Sequence, residues 1–272
     1  MSIFYNKFIS DCKDNDELVM KKLNCDELTS DMLKLKNNYG FTPLMIACTY
    51  NHKSVQHILN CDKFTSDMLN QKTNNGWTPL MIACEHEHDN KSVQYILNHR
   101  NFTSDMLNQK TNNAWTPLMI ACQFCHDFNL IKKIISMCST DTLKLKCNEF
   151  NINNIKTNNL MKEYAGNGGQ TFLHILAIFN PKIFFEIKNI IEFDLLNIVD
   201  NSGLVCSHYV SIDTICSDAQ KLLCPICFDK SDDINVYNPC GHIICGNCAK
   251  SYDKLICYMC KSIVTKKTKI YF

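Results

Sequence analysis

Thr42-Pro-Leu-Met-Ile-Ala-Cys48 decides the fold, because the chain repeats it letter for letter as Thr78 to Cys84 and again as Thr116 to Cys122. The copies stand 36 and 38 residues apart, a spacing that belongs to stacked structural repeats. The two extra residues fall in Glu85-His-Glu-His-Asp-Asn90, where the preceding copy has Thr49-Tyr-Asn-His52. Working outward, Lys53-Ser-Val-Gln-His-Ile-Leu-Asn60 matches Lys91 to Asn98, and Phe64-Thr-Ser-Asp-Met-Leu-Asn70 matches Phe102 to Asn108. One unit has been duplicated. Each copy reads as a turn, a short helix opened by Thr-Pro, a second helix around Ser-Val-Gln-x-Ile-Leu, and an outward loop. Thr caps a helix N-terminus well, and Pro suits the first turn. Asn51, tolerant of left-handed backbone, is expected to end the first helix.

With its Gly-x-Thr-Pro-Leu-x-x-Ala pattern the unit resembles the ankyrin repeat. Two weaker copies follow, Gly169-Gln-Thr-Phe-Leu-His-Ile-Leu-Ala177 and Gly203-Leu-Val-Cys-Ser-His-Tyr-Val210, while Asp16 to Leu23 aligns with a second helix and is expected to cap the stack. The resemblance implies a mainly α solenoid over residues 1–212, of about five repeats. Three departures matter. Met45, Met81 and Met119 stand where the family carries histidine, so a polar bridge is lost and an adaptable thioether fills the gap. Ala114 occupies the turn position held by Gly40 and Gly76; if that position needs positive φ, Ala costs about 1 kcal/mol. Thr116 and Thr171 lie 55 residues apart, which places an insertion near residues 147–165, with Cys147 to Asn159 as its polar loop.

Beyond the repeats, ligand chemistry takes over. The chain reads Cys224-x2-Cys227, Cys240-x-His242, Cys245-x2-Cys248 and Cys257-x2-Cys260. Each close pair puts two ligands on one tight turn, the local geometry of a tetrahedral sulfur and nitrogen zinc site. Eight ligands make two closed sites with no open position for a catalytic water, so the zinc is structural, two ions per chain. Buried or disulfide-paired cysteines are the plain alternative.

The series, with Cys224-Pro-Ile-Cys227 and Pro239-Cys-Gly-His-Ile-Ile-Cys245, resembles the C3HC4 RING finger of ubiquitin ligases. That resemblance implies a small zinc-stabilised α+β RING domain behind a linker helix in residues 213–272. It also implies a cross-brace: Cys224, Cys227, Cys245 and Cys248 on one zinc, Cys240, His242, Cys257 and Cys260 on the other. By position, Ile226 and Tyr252 match the family's apolar contacts with the E2 ubiquitin-conjugating enzyme, although both could instead cover the zinc site. Tyr258 replaces the usual proline, and Lys261 stands where active members often place an arginine. Lysine keeps the charge and loses the forked donor geometry. The implied function is a RING-type E3 ubiquitin ligase with no nucleophile of its own, which positions an E2-ubiquitin conjugate while the repeats recruit a protein substrate. The alternative is a non-catalytic adaptor that uses both modules only for binding.

Composition agrees. The 272 residues carry a formal net charge of +1 and 46% hydrophobic residues, enough for two domains with a proper core. Arg100 is the single arginine, which with the near-zero charge disfavours nucleic acid. No apolar run approaches the roughly 18 residues of a membrane helix, and Met1-Ser-Ile-Phe-Tyr-Asn-Lys7 lacks a signal-peptide core. The cysteines outside the zinc pattern are scattered without pairing, as in a reducing compartment. An intracellular, cytoplasmic location is expected, the nucleus included. Richness in Asn, Lys and Ile points to an AT-rich genome, such as a giant virus, with the host cell then the setting.

Smaller signals have bland readings beside sharp ones. Cys122-Gln-Phe-Cys-His126 has the form of a haem attachment pattern, yet falls at the end of a repeat helix in a chain without an export signal. Glu85 to Asp89 could bind a metal or be an exposed helix end. Cys48, Cys84 and Cys122 occupy a small-residue core position. Phe41, Trp77 and Trp115 each precede Thr-Pro and form an aromatic column, either anchors for a protein substrate or wedges between repeats. Lastly, the run Ile270-Tyr271-Phe272 closes the sequence. It resembles the tails of dimeric RING ligases related to apoptosis inhibitors, which implies a homodimer; folding back onto its own RING is the alternative.

Overall fold

The computed structural model describes residues 2–14, 16–86, 90–148 and 168–209, and further on 222–224, 226–227, 230–231, 233–238, 243–251 and 266–271. The chain forms two compact units, residues 1–150 with 168–172 and the remainder. The first holds α1 (Ser2–Asp14), α2 (Asp16–Leu23), α3 (Ser30–Lys34), α4 (Pro43–Tyr50), α5 (His52–Leu59), α6 (Pro79–His86), α7 (Lys91–Leu97), α8 (Pro117–Phe124), α9 (Phe128–Met137) and α10 (Thr140–Leu143). First helices stack in the order α1, α4, α6, α8, and second helices in the order α2, α5, α7. Asp16–Leu23 is thus a second helix packed on α5.

Short helices of this kind are marginal alone and hold through packing. Five consecutive residues of each first helix, Leu44 to Cys48, Leu80 to Cys84 and Leu118 to Cys122, are all buried. Such a helix, apolar on every side, has neighbours on every side. Thr42 and Thr116 cap their helices as expected, the hydroxyl accepting from Met45 N and Met119 N at 3.3 Å. The methionines do more than fill space. Thr42 N and Thr78 N donate to Met45 Sδ and Met81 Sδ at 3.4 Å, weak bonds that complete the cap from the other side.

Two expectations are corrected. Asn51 ends α4 as expected, its N–H donating to Ala47 O, but it is extended (φ −153°, ψ 98°) rather than left-handed. Its Oδ1 accepts from Lys53 N and Ser54 N and so also starts α5, as a side-chain oxygen beside the first N–H groups of a helix does. The expected outward loop is not a loop. Thr-Ser-Asp-Met-Leu folds one helical turn in successive copies, as α3 and as 3-10 turns at Ser66–Asn70 and Ser104–Asn108. Met32, Leu33, Met68, Leu69, Met106 and Leu107 are buried there, each contributing about 1.5–3 kcal/mol. This extra turn lengthens the period beyond the roughly 33 residues usual for such units.

Between units the chain makes a tight finger turn. Thr73 N donates to Trp77 O at 2.9 Å, and Asn37 N and Thr111 N repeat the bond with Phe41 O and Trp115 O. The side chain at the same position closes it from inside: Thr73 Oγ1 and Thr111 Oγ1 accept from Trp77 N and Trp115 N at 3.1 Å. Successive fingers join where Asn74 N meets Tyr39 O, Asn112 N meets Asn75 O, and Asn148 N meets Asn113 O, at 3.0–3.2 Å. Cys147 N donates to Gln170 O and Gly169 N to Cys147 O, which makes Cys147 the equivalent of Thr73. The insertion therefore lengthens a finger at its tip. Its residues from 149 to 167 lie outside the described residues.

The finger needs positive φ at one place. Gly40 and Gly76 have φ of 84° and 82°, and Ala114 is forced to 60°. An L residue there costs roughly 1–2 kcal/mol. Ala114→Gly should raise stability by about 1 kcal/mol, less some unfolded-state entropy. Urea unfolding followed by circular dichroism checks this, and a destabilised variant would show that Ala114 packing outweighs its backbone strain.

In the second unit, α11 (Phe172–Phe179), α12 (Pro181–Ile187), α13 (Phe193–Leu196) and a 3-10 turn at Cys206–Tyr209 come first. His174, fully buried, donates from Nε2 to Leu204 O at 3.0 Å. Tyr209 meets the same ring edge-on at 5.7 Å and donates to Asp200, whose Oδ1 also accepts from Ser202 N and Leu204 N. This is the polar bridge absent from the three methionine copies. Further on, β1 (Leu222–Leu223) pairs with β2 (Lys230–Ser231), and β3 (Asp233–Asn238) runs antiparallel between β4 (Ile243–Cys245) and β5 (Lys266–Tyr271). α14 (Gly246–Ser251) follows β4 directly. Among the described residues no helix is long and apolar enough to cross a membrane.

Candidate functional site

Cys224 leaves β1, and Cys227 sits in the turn three residues on. Cys245 ends β4, and Cys248 lies in the first turn of α14. Antiparallel pairing of β3 with β4, with Ile234 opposite Cys245, fixes that second arm. The four Sγ atoms lie within 4.8 Å of one another, and Cys227 Sγ stands 3.7 Å from Cys245 Sγ. Sulfurs at about 2.3 Å from a central zinc lie about 3.8 Å apart at the edge of the tetrahedron. The residues fit that ion. Cys248 N donates to Cys245 Sγ at 3.4 Å, the kind of outer bond that orients a thiolate ligand. Burial pushes the Cys245 thiol up, yet hydrogen bonds from Cys248 and the neighbouring thiols outweigh it and hold Cys245 below its usual range. Cys248 is raised, chiefly by burial.

Behind the ligands stands a residue that the spacing alone does not flag. A Cβ on Gly246 would lie 2.0 Å from Asp233 Oδ2, so the Asp233 carboxylate packs directly on this glycine and would have to turn away from any larger residue. The second expected ligand set, Cys240, His242, Cys257 and Cys260, lies outside the described residues. Tyr252, Tyr258, Lys261 and Phe272 also lie there. Ile226 is half-buried in the turn between the first two ligands. Ile270 and Tyr271 belong to β5, whose backbone pairs with Ile234 and Asp233 of the same chain.

Phe41, Trp77 and Trp115 are half-buried at one register of three successive fingers. The first two share a groove with Tyr39, Ile82 and Glu85. Tyr39 and Glu85 escape a motif search, since neither belongs to the repeated letters, whereas Ile82 is one of them; the signal for Tyr39 is an aromatic beside the turn glycine. The cysteines of the repeated motif are packing residues. Cys48, Cys84 and Cys122 are buried, and burial raises the Cys122 thiol well above its ordinary value. Cys125 is buried too and donates to Asn90 Oδ1 at 3.3 Å, so this pair is packing rather than a haem attachment. Within the acidic run, Glu85 pairs with His86 at 3.2 Å, and residues 87–89 lie outside the described residues.

Comparison with known proteins agrees with this geometry. Residues 55–144 match the family of ankyrin repeats (3 copies), and residues 220–267 match the zinc finger, C3HC4 type (RING finger). An apoptosis inhibitor IAP of Cydia pomonella granulosis virus (isolate Mexico/1963) is 47% identical over 51 residues, 18% of this chain and 18% of the viral protein. Among solved structures, the Bd0816 predatory endopeptidase of Bdellovibrio bacteriovorus in complex with immunity protein Bd3460 superposes with a TM-score of 0.49 at 20% identity, over 75% of this chain and 89% of that one. That last likeness is too loose to bear on function. The matches and the four-thiol cluster together make this chain an ankyrin-repeat protein that carries a C3HC4 RING finger.

Proposed function

We propose that the chain is a RING-type E3 ubiquitin ligase, with substrate-recruiting repeats in residues 1–212 and the RING in residues 213–272. The observation that carries the reading is the four-thiol cluster inside the matched RING segment, with Ile226 held between two of its ligands. Zinc, when bound, supplies the fixed frame of that turn and no redox or acid-base step. The chain's own residues then bind the E2 and hold its ubiquitin thioester in a reactive conformation, which is catalysis by positioning. The aromatic column offers rigid anchors for a protein substrate. A ubiquitin-chain assay with E1, a panel of E2 enzymes and purified protein tests the reading. Conjugates support the ligase, and their absence with every E2 would leave the adaptor.

Dimerisation through Ile270, Tyr271 and Phe272 belongs to the same proposal. Among the described strands β5 is the edge of its three-stranded sheet, so the tail strand is anchored in its own chain and a second copy would pair on its outer side. Deleting residues 270–272 should convert a micromolar dimer to a monomer and reduce ligase activity about tenfold or more, with zinc content unchanged. A full-length protein that sediments as a monomer at micromolar concentration would remove the dimer reading.

A further inference from the structure

We infer that the groove between the first two fingers is a site for an alkylammonium group: a lysine side chain of a partner protein, free or N-methylated. The inference deepens the substrate-recruitment reading and rests on it. The cleft, about 460 Å³ in volume, is lined by Tyr39, Phe41, Asn74, Trp77, Ile82 and Glu85 among others. Three of these are aromatic, and the electron-rich faces of such rings attract cations. Ile82, 1% exposed, belongs to the buried layer of α6. Among the described residues Glu85 is the single charged one of the lining, and it lies in the last turn of α6, where the helix dipole adds negative potential.

Charge decides the occupant. Among the described residues no lysine or arginine lines the cleft, and Glu85 meets its neighbour His86 Nε2 at 3.2 Å. Elsewhere the protein covers aromatic rings with its own lysines: Lys13 over Tyr50, Lys132 over Phe128 and Lys188 over Phe185, at 5.2–5.7 Å. Among the described residues no such cation stands over Tyr39, Phe41 or Trp77. An anionic group would meet Glu85 and the ring faces with repulsion. A neutral apolar group would desolvate the carboxylate without pairing it. A lysine satisfies both demands, its aliphatic stem against rings and its charged head toward Glu85. The backbone at Tyr39 is fixed by its N–H bond to Asn37 Oδ1 at 3.0 Å and by the positive φ of Gly40, so binding orders the exposed ring but not the finger.

The test uses the two tryptophans. In a Trp115→Phe background Trp77 is the sole tryptophan fluorophore. The full-length protein is titrated with pooled dodecapeptides randomised except for a central lysine carrying zero to three methyl groups. Pools with central norleucine, glutamate or arginine serve as controls. We expect a saturable Trp77 response to the lysine pools, at least tenfold weaker after Glu85→Gln and after Tyr39→Ala, with none from norleucine or glutamate. A response rising with methylation assigns methyl-lysine, and a flat or falling one assigns free lysine. Equal responses from norleucine, a stronger one from arginine, insensitivity to Glu85→Gln, or silence at millimolar peptide overturns the site. Both variants keep the fold by circular dichroism, since Tyr39 is exposed and Gln is isosteric. Autoubiquitination of the wild-type protein, run in parallel, reports separately on the ligase reading.

Discussion

Cys245→Ser should unfold the RING segment while the helices of the first unit persist. The strands around the cluster are two to six residues long, and the described buried side chains there come to Cys224, Ile244, Cys245 and Ala249. A segment of that size cannot bury enough apolar surface to fold unaided. Metal binding supplies the difference, about 10–16 kcal/mol in zinc-finger peptides at neutral pH. Cys245 joins β4 to α14 and accepts the Cys248 N–H, so its loss removes a ligand and the knuckle that orients another. Zinc content should fall from about two ions per chain by at least one. Amide dispersion from residues 222–271 should collapse, and far-ultraviolet dichroism should change little. Unchanged zinc content would mean that the cluster is not the ligand set.

Ile226→Ala should leave zinc and fold intact and lower ubiquitin-chain formation about 30-fold or more. The turn is held by Cys224 and Cys227 on either side, both in the thiol cluster, so truncating the side chain between them does not release the backbone. Half-buried as it is, Ile226 offers an apolar face on a rigid turn, the kind of anchor whose loss costs an interface about 2 kcal/mol or more. Chain assays with matched zinc-replete proteins measure this. Undiminished autoubiquitination by the variant would separate the activity from the RING face.

Much of this was legible because it rests on strict spacing. Repeat register, Thr-Pro helix starts and ligand pairs are local signals, and the helices and the described half of the thiol cluster follow them. Ala114 was readable too, since comparison with Gly40 and Gly76 exposed a backbone demand that one copy alone would hide. The Thr-Ser-Asp-Met-Leu turn was not. Two adjacent apolar residues flanked by polar ones carry no helical period, and only burial against neighbouring repeats makes the turn fold. Asn51 shows a different limit: one residue closes α4 through its N–H and starts α5 through its side-chain oxygen, a double role that a single stop signal does not express. Met45 reads from the sequence as an adaptable filler in place of a histidine, yet geometry brings its sulfur to Thr42 N. The groove of Tyr39, Ile82 and Glu85 joins residues from two repeats, a relation that a linear pattern does not express.

As the proposed ligase, the chain speeds ubiquitin transfer by positioning, with no covalent step of its own. Single-turnover discharge of a purified E2-ubiquitin thioester onto free lysine measures that step in isolation. Zinc-replete protein should accelerate discharge at least tenfold, chelator-stripped protein and Ile226→Ala should not, and no ubiquitin should become thioester-linked to the chain. A discharge rate indifferent to the zinc-replete protein with every E2, or ubiquitin captured on one of its cysteines, would contradict it.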